Sequence, residues 1–269
     1  MNYVRCSNYR FCVLILFLLS SVGELVFGAE TSPTAEELIQ KAVERTQSSE
    51  ASASPDINYT KVTLTEELDS SGKITNRKEK IYNVCLRSGL SQVTLVQVNG
   101  RAPAESDRRQ QTENETSLRK LLGQPKGAKG NNQGNFLTPE IAARFDFSLT
   151  GKTNVNGRAA YQLSFQPKKP EPPVHRMVDR LLNRISGKLW IDAQEFEIAR
   201  VEVFLRSEVN LLGGVIGCLK KLAYTMVRTR TDDGLWFNAL SSGDFEGRKL
   251  LDSTHIKTKS ETTHFERAG

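Results

Sequence analysis

This 269-residue sequence lacks the signatures on which most catalysis rests. It contains no G-x-S-x-G, H-E-x-x-H or C-x-x-C, which removes the serine-hydrolase elbow, the zinc-protease helix and the dithiol redox pair. Three histidines, His175, His255 and His264, are spaced too irregularly to share a metal. Gly151-Lys152-Thr153 is the nearest approach to a phosphate loop. Such a loop needs a glycine at position 146, so that successive backbone N–H groups cradle the phosphate, and that position is aspartate. The adjacent carboxylates Glu36-Glu37, Glu66-Glu67 and Asp232-Asp233 read as a helix start, a strand end and a turn; adjacency alone does not converge two carboxyl groups on one cleft. No βαβ alternation appears, which excludes a parallel nucleotide-binding sheet. The expectation is a protein that is not an enzyme and carries no cofactor and no metal.

Charge of one sign is not concentrated either. Thirty-seven Lys plus Arg against 31 Asp plus Glu give a net charge of +6, and the basic residues lack the interleaved aromatics of a single-strand binding surface, so no nucleic-acid partner is expected. Long apolar runs are also scarce. The one from Phe11 to Leu19 follows Arg5 and Arg10 and precedes small residues at Val26 and Gly28, the pattern of a cleaved secretory signal over residues 1–28. A membrane anchor is the competing reading, but it needs about 20 apolar residues, and Ser20, Ser21, Gly23 and Glu24 interrupt this run. The mature chain is then expected in the periplasm, or otherwise exported, as a soluble monomer. Its cysteines are Cys85 and Cys218, which an oxidising compartment permits to form a disulfide; two buried thiols are the other reading.

What is present is periodicity. Thr34 and Glu37 have the spacing of a capping box, and Leu38, Ile39, Ala42 and Val43 share one stripe, predicting a helix over 34–47 and a polar tether over 46–55. From Asn58 the period becomes two: Val62 and Leu64 face one way, and Lys61, Thr63 and Thr65 the other. SSGK at 70–73 turns the chain, and strands through Tyr82 to Leu86 and 93–98 complete a meander. Residues 101–135 read as a mobile, glycine-rich insertion with at most a short polar helix ending near Leu122, and Thr138-Pro139 starts a brief helix. Asn156-Gly157 marks a hairpin into RAAYQLSFQ, in which Ala159, Tyr161, Leu163 and Phe165 share a face. Apolar residues from Val174 to Ile185 fall on a helical stripe, predicting a lid helix over 174–185 whose alternative use is to rest on an anionic membrane surface. Strands flanking 193–195 and Asp232-Asp233-Gly234 finish the chain, giving eight to ten antiparallel strands. VNLLGGVIG at 209–217 is either a flexible apolar loop or a glycine-kinked strand.

This order of elements, with its N-terminal helix, long meander, interrupting helix and hairpins bearing GKLWID and DGLWF, resembles the periplasmic lipoprotein-carrier (LolA-like) superfamily, in particular its outer-membrane lipoprotein-sorting members. The resemblance spans residues 34–266 and rests on 157–168, 187–192 and 233–237. It implies an α+β fold: a strongly curved antiparallel sheet forming an incomplete half β-barrel, with helices covering an apolar concave face. The expected organisation is residues 1–28 as signal, 29–56 as helix and tether, and 57–269 as one half-barrel domain. It also implies a carrier that binds lipid or the acyl chains of a lipidated protein without chemistry, touching a membrane surface transiently. An envelope sensor holding a protein partner is the alternative within the same fold. Periodicity supplies a candidate lipid-binding set: Tyr161, Leu163, Phe165, Val178, Leu181, Ile185, Trp190, Leu211, Leu212 and Trp236.

Overall fold

The computed structural model of the chain describes residues 32–51, 56–87, 90–122, 137–211, 217–249 and 252–267. Its strands are β1 (Ile57–Leu68), β2 (Ile74–Arg87), β3 (Leu90–Val98), β4 (Phe145–Val155), β5 (Arg158–Pro167), β6 (Ile185–Asp192), β7 (Ile198–Leu205), β8 (Val209–Leu211), β9 (Gly217–Arg230), β10 (Trp236–Lys249) and β11 (Asp252–Arg267). They form one antiparallel sheet that does not close, in the order β3-β2-β1-β11-β10-β9-β7-β6-β5-β4, with β8 paired to β9 off this path. Among the described residues four helices accompany it: α1 (Ala35–Ala51), α2 (Glu105–Leu122), α3 (Pro139–Ala142) and α4 (Met177–Leu182). This is the expected α+β half-barrel, with eleven strands rather than eight to ten.

Local signals place most boundaries. Thr34 N donates to Glu37 Oε2 at 2.8 Å and Glu37 N to Thr34 Oγ1 at 3.2 Å, the reciprocal pair that starts α1. Thr138 Oγ1 accepts from Ile141 N at 3.2 Å, with Pro139 in the first turn of α3. Asn156 and Gly157, at φ 50° and 81°, supply the two left-handed residues of the β4–β5 hairpin. At Gly187 the constraint is space. A Cβ there would sit 1.8 Å from the Glu202 carbonyl oxygen and 2.8 Å from the Phe165 ring, so only glycine lets β6 lie this close to its neighbours.

One row of register neighbours crosses the sheet and explains its cover. Leu149, Leu163, Leu189, Val201 and Met226 pair in turn across β4, β5, β6, β7 and β9. The row continues as Ser241, Ser260, Thr63 and Lys80, and ends on Val98 of β3. Residues directly opposite one another share a face, so this row is apolar from β4 to β9 and polar from β10 to β2, while the same face of β2 and β3 carries a further buried cluster of Tyr82, Val84, Leu95 and Val98. Helix α1 packs Ala35, Leu38, Ile39 and Ala42 onto the apolar end, with Leu38 wholly buried and Ala42 1% exposed. Helix α2 sits at the far end, where Asp107 meets Lys78 Nζ at 2.8 Å and the Tyr82 hydroxyl meets Gln111 at 3.2 Å.

Two expectations are corrected and one open alternative is decided. The predicted lid helix over 174–185 is only α4, Met177–Leu182. The Asp179 carboxylate accepts from the backbone N–H of His175 and Arg176 at 2.9 and 2.8 Å and so starts the helix there; Asn183, held by Arg144 and the Pro172 carbonyl at 2.7 Å each, ends it. Val174 lies in the extended lead-in and Ile185 opens β6, so the helical spacing joined three different local structures. The 101–135 segment contains the 18-residue α2, which ends at Leu122 as expected but is long rather than short; residues 123–135 lie outside those described. Of the two readings of Cys85 and Cys218, the structure shows free thiols, Cys218 buried and Cys85 half-buried. They lie on β2 and β9, with β1, β11 and β10 between them in the sheet, whereas a disulfide needs Cα atoms about 4.4–6.8 Å apart.

Opposite Leu163 and Leu189, the outer face carries a second cluster of Val155, Ala160, Trp190, Ala199 and Trp236. Asp192 ends β6 beneath it, fully buried. Its carboxylate takes Arg158 Nε and Nη2 at 2.7 and 2.9 Å and the N–H groups of Gln194 and Glu195 at 3.0 and 2.8 Å.

Two predictions follow from this packing. Leu38→Ala removes a wholly buried side chain from the α1 interface and should lower stability by about 3 kcal/mol in denaturant unfolding; an unchanged midpoint would mean that α1 does not hold the sheet. Burial alone would raise the Asp192 carboxyl, but the Arg158 pair and the two backbone donors outweigh it and hold it below the usual carboxylate range. The stability it lends is therefore complete above the unfolded-state value near pH 4 and is lost as pH falls through the lower folded value. The stability gap between wild type and Asp192→Asn should shrink between about pH 5 and about pH 2.

Candidate functional site

The residues predicted to line a lipid cavity do not form one lining. Leu163 is fully buried under α1, with Tyr161 and Phe165 packed half-buried against the same cluster. The Phe165 ring meets those of Phe145 and Phe147, with centroids 5.3 and 6.2 Å away, and Lys152 Nζ lies 4.7 Å from the Tyr161 ring centroid. Val178 and Leu181 are half-buried on α4, and Ile185 is buried at the start of β6. Trp190 and Trp236 pack together in the other cluster, beside Arg200 and Arg158 respectively, and Trp236 Nε1 donates to Glu195 at 2.9 Å. Leu211 ends β8, and Leu212 lies outside the described residues. The structure thus joins Tyr161, Leu163 and Phe165 on one surface, and Trp190 with Trp236 on another.

The covered face holds a feature that strand periodicity did not single out. Between the α1-covered end and α2, strands β9, β10, β11 and β1 enclose a cavity of about 110 Å³. Tyr59, Tyr224 and Phe237 provide aromatic walls, and Ser241, Ser260 and Thr262 provide hydroxyls. Ser260 Oγ lies 2.9 Å from Thr63 Oγ1, and Thr262 Oγ1 donates to the Asn238 carbonyl at 2.7 Å, fixing two of these groups. Lys61 reaches into the space from β1 and Asn238 from β10.

The aromatic wall depends on a defect in the ladder. Between the Asn58 and Thr60 pairings the β1–β11 register shifts, so His264, at φ 51°, and Phe265 together oppose Tyr59. Such a bulge re-aims the following side chain. Here Phe265 stacks between Phe237, at 4.3 Å, and Tyr59, at 6.2 Å between centroids. Burial drives the Lys61 ammonium below its ordinary pKa and raises both tyrosine hydroxyls, Tyr224 being partly relieved by its hydrogen bond with Ser241.

His255 is occupied by Asp244, 2.8 Å away, and among the described residues no group of three His, Cys, Asp or Glu is arranged to hold a metal ion. Nor is any helix among them long and apolar enough to cross a membrane.

No family model and no curated protein matches the sequence. Solved structures do. A LolA superfamily protein of Nitrosomonas europaea is similar over 88% of this chain and 95% of its own, at 11% identity and TM-score 0.35. A DUF1329 family protein from Desulfovibrio piger covers 88% and 94%, at 12% identity and TM-score 0.36. The Pseudomonas aeruginosa MucA/MucB complex structure contains a chain similar over 87% of this one and 99% of its own, at 10% identity and TM-score 0.27. Likeness of this degree transfers no residue role and no activity.

Proposed function

We propose that this chain is an exported binding protein that takes a lipid, or the acyl chain of a lipidated protein, against the covered face of its unclosed sheet and releases it unaltered. The observation that carries this reading is the manner in which the apolar end of the sheet is covered. It is dried by the narrow stripe of one helix, α1, which sets Ala35, Leu38, Ile39 and Ala42 on the sheet.

Magnitudes favour exchange. Leu38 and Ile39 contribute roughly 2 kcal/mol each by burial and Val43 and the two alanines less, so α1 holds its place with about 6 to 7 kcal/mol of apolar burial, somewhat below what an acyl chain offers. An acyl chain burying about twelve methylenes at about 0.8 kcal/mol each offers about 10 kcal/mol. A guest can therefore replace the helix on the same floor of Leu163, Leu189, Val201 and Met226. In this reading α1, not the segment over 174–185, is the removable cover, and Tyr161 and Phe165 flank the guest.

Delipidated protein titrated with a fluorescent fatty acid should show saturable, competable binding. Arg45 of α1 pairs with Glu197 at 3.0 Å, so Arg45→Ala loosens the cover and should tighten binding about two- to fivefold, the equivalent of a partly exposed ion pair. Absence of saturable binding by both proteins would sink the proposal.

One observation favours a second reading, a protein partner in the envelope. β3 is an edge strand carrying exposed Val93 and Val96 at 39% and 37%, and an open edge can take another strand. Val93→Lys together with Val96→Lys should release a partner recovered from the envelope fraction while leaving fatty-acid binding unchanged. Retention of that partner by the double variant would count against this edge as the docking surface.

A further inference from the structure

We infer that the cavity bounded by β9, β10, β11 and β1 is an anion site for a carboxylate bearing a neighbouring hydroxyl, held by the Lys61 ammonium and the Asn238 side-chain amide. This deepens the proposed function by naming the polar end of the guest.

Three features point to that chemistry. Lys61 lines the cavity, and its desolvation is not offset by a charged neighbour; among the described residues no carboxylate pairs with it. A buried ammonium without a counter-charge is costly, and it is retained where a ligand supplies the charge. Asn238 Oδ1 is buried and accepts no hydrogen bond, although the backbone carbonyl of the same residue is satisfied by Thr262. An unpaired buried acceptor of this kind is matched by a hydroxyl donor on the guest. The remaining walls are aromatic, hydroxylic and, at Leu240, aliphatic, with no acidic side chain among them to repel an anion.

Size sets the rest. A cavity of about 150 Å³ holds a benzene ring, so one of about 110 Å³ admits a carboxylate with a few carbons and not a chain. A chain must leave the cavity, and Tyr224 marks the way out: it lines the cavity and also packs against the core cluster beneath α1. The same head-group chemistry belongs to a long-chain hydroxy acid and to a free short one.

Calorimetric titration with β-hydroxydodecanoate, with the diol in which the carboxylate becomes CH₂OH, and with β-hydroxybutanoate separates these cases. Wild type should bind the long acid at least about tenfold more tightly than the diol, as expected for a charge-assisted hydrogen bond. Lys61→Met should erase the preference while leaving diol affinity within about twofold. That variant removes a desolvated charge, so it should melt no lower than wild type and remain a valid test. Asn238→Asp, which places a counter-charge in the cavity, should erase the preference too. Equal binding of long acid and diol by wild type would overturn the anion site and leave the carrier reading intact. Binding of only the short acid, lost in Lys61→Met, would uphold the site and refute the carrier. If none of the three binds, both readings fall.

Discussion

One face of half a β-sheet must be kept dry, and nearly everything else in this molecule follows from how that is done. The run Leu149, Leu163, Leu189, Val201 and Met226 across β4 to β9 exposes more apolar surface than a lone sheet can leave in water. Because the sheet does not close, its own strands cannot bury that surface. The stripe of α1 does so, and Arg45 adds a bond to Glu197, which in turn binds the buried Arg228 of β9 at 2.7 Å. The chain then enters the sheet at β1, beside β11, so the N-terminal segment covers one end of the sheet and forms part of its middle.

The polar half obeys a different rule. On β5 the covered face carries Leu163, whereas on β1 it carries Lys61 and Thr63 and sends Val62 and Leu64 outward. Inside and outside thus exchange polarity within one continuous sheet, with no change in hydrogen-bond pattern. Hydroxyls tolerate the site because they bond one another and the backbone, as Ser260 does with Thr63 and Thr262 with Asn238. Lys61 and Asn238 Oδ1 have no such arrangement, which is why the proposed anion site is placed on them rather than on the hydroxyls.

Most of the scaffold was legible in the sequence because its signals are local. The Thr34/Glu37 box, the Asn156-Gly157 turn, Thr138-Pro139 and the alternation in RAAYQLSFQ each act within a few residues, and each appears where expected. The lid over 174–185 was misread because periodicity cannot see a carboxylate: Asp179 starts the helix late and Asn183 ends it early, through partners as distant as Arg144. The cavity was invisible for a related reason. Its lining comes from β1, β9, β10 and β11, and two of its aromatic walls, Tyr59 and Phe237, are backed by Phe265, which follows the bulge at His264. Alternation placed Lys61 on one face with Thr63 and Thr65, and the structure keeps it there, half-buried, but alternation could not show which residues of β9, β10 and β11 meet it.

The apolar floor and the polar cavity are adjacent by construction, and this adjacency gives the two proposed roles a common geometry. Tyr224 belongs to both: its ring packs on the cluster that α1 seals, while its hydroxyl is engaged by Ser241 at the cavity. Lifting α1 would therefore uncover, in one movement, a dry surface ending at an aromatic edge and a desolvated ammonium beyond it. An amphiphile has the same sequence of properties along its length. A purely apolar guest would leave Lys61 as costly as before, and a purely polar one would leave the floor wet once the helix had moved. Only a molecule with both ends satisfies both halves of the face, and its apolar part must compete with α1 while its charged part competes with nothing.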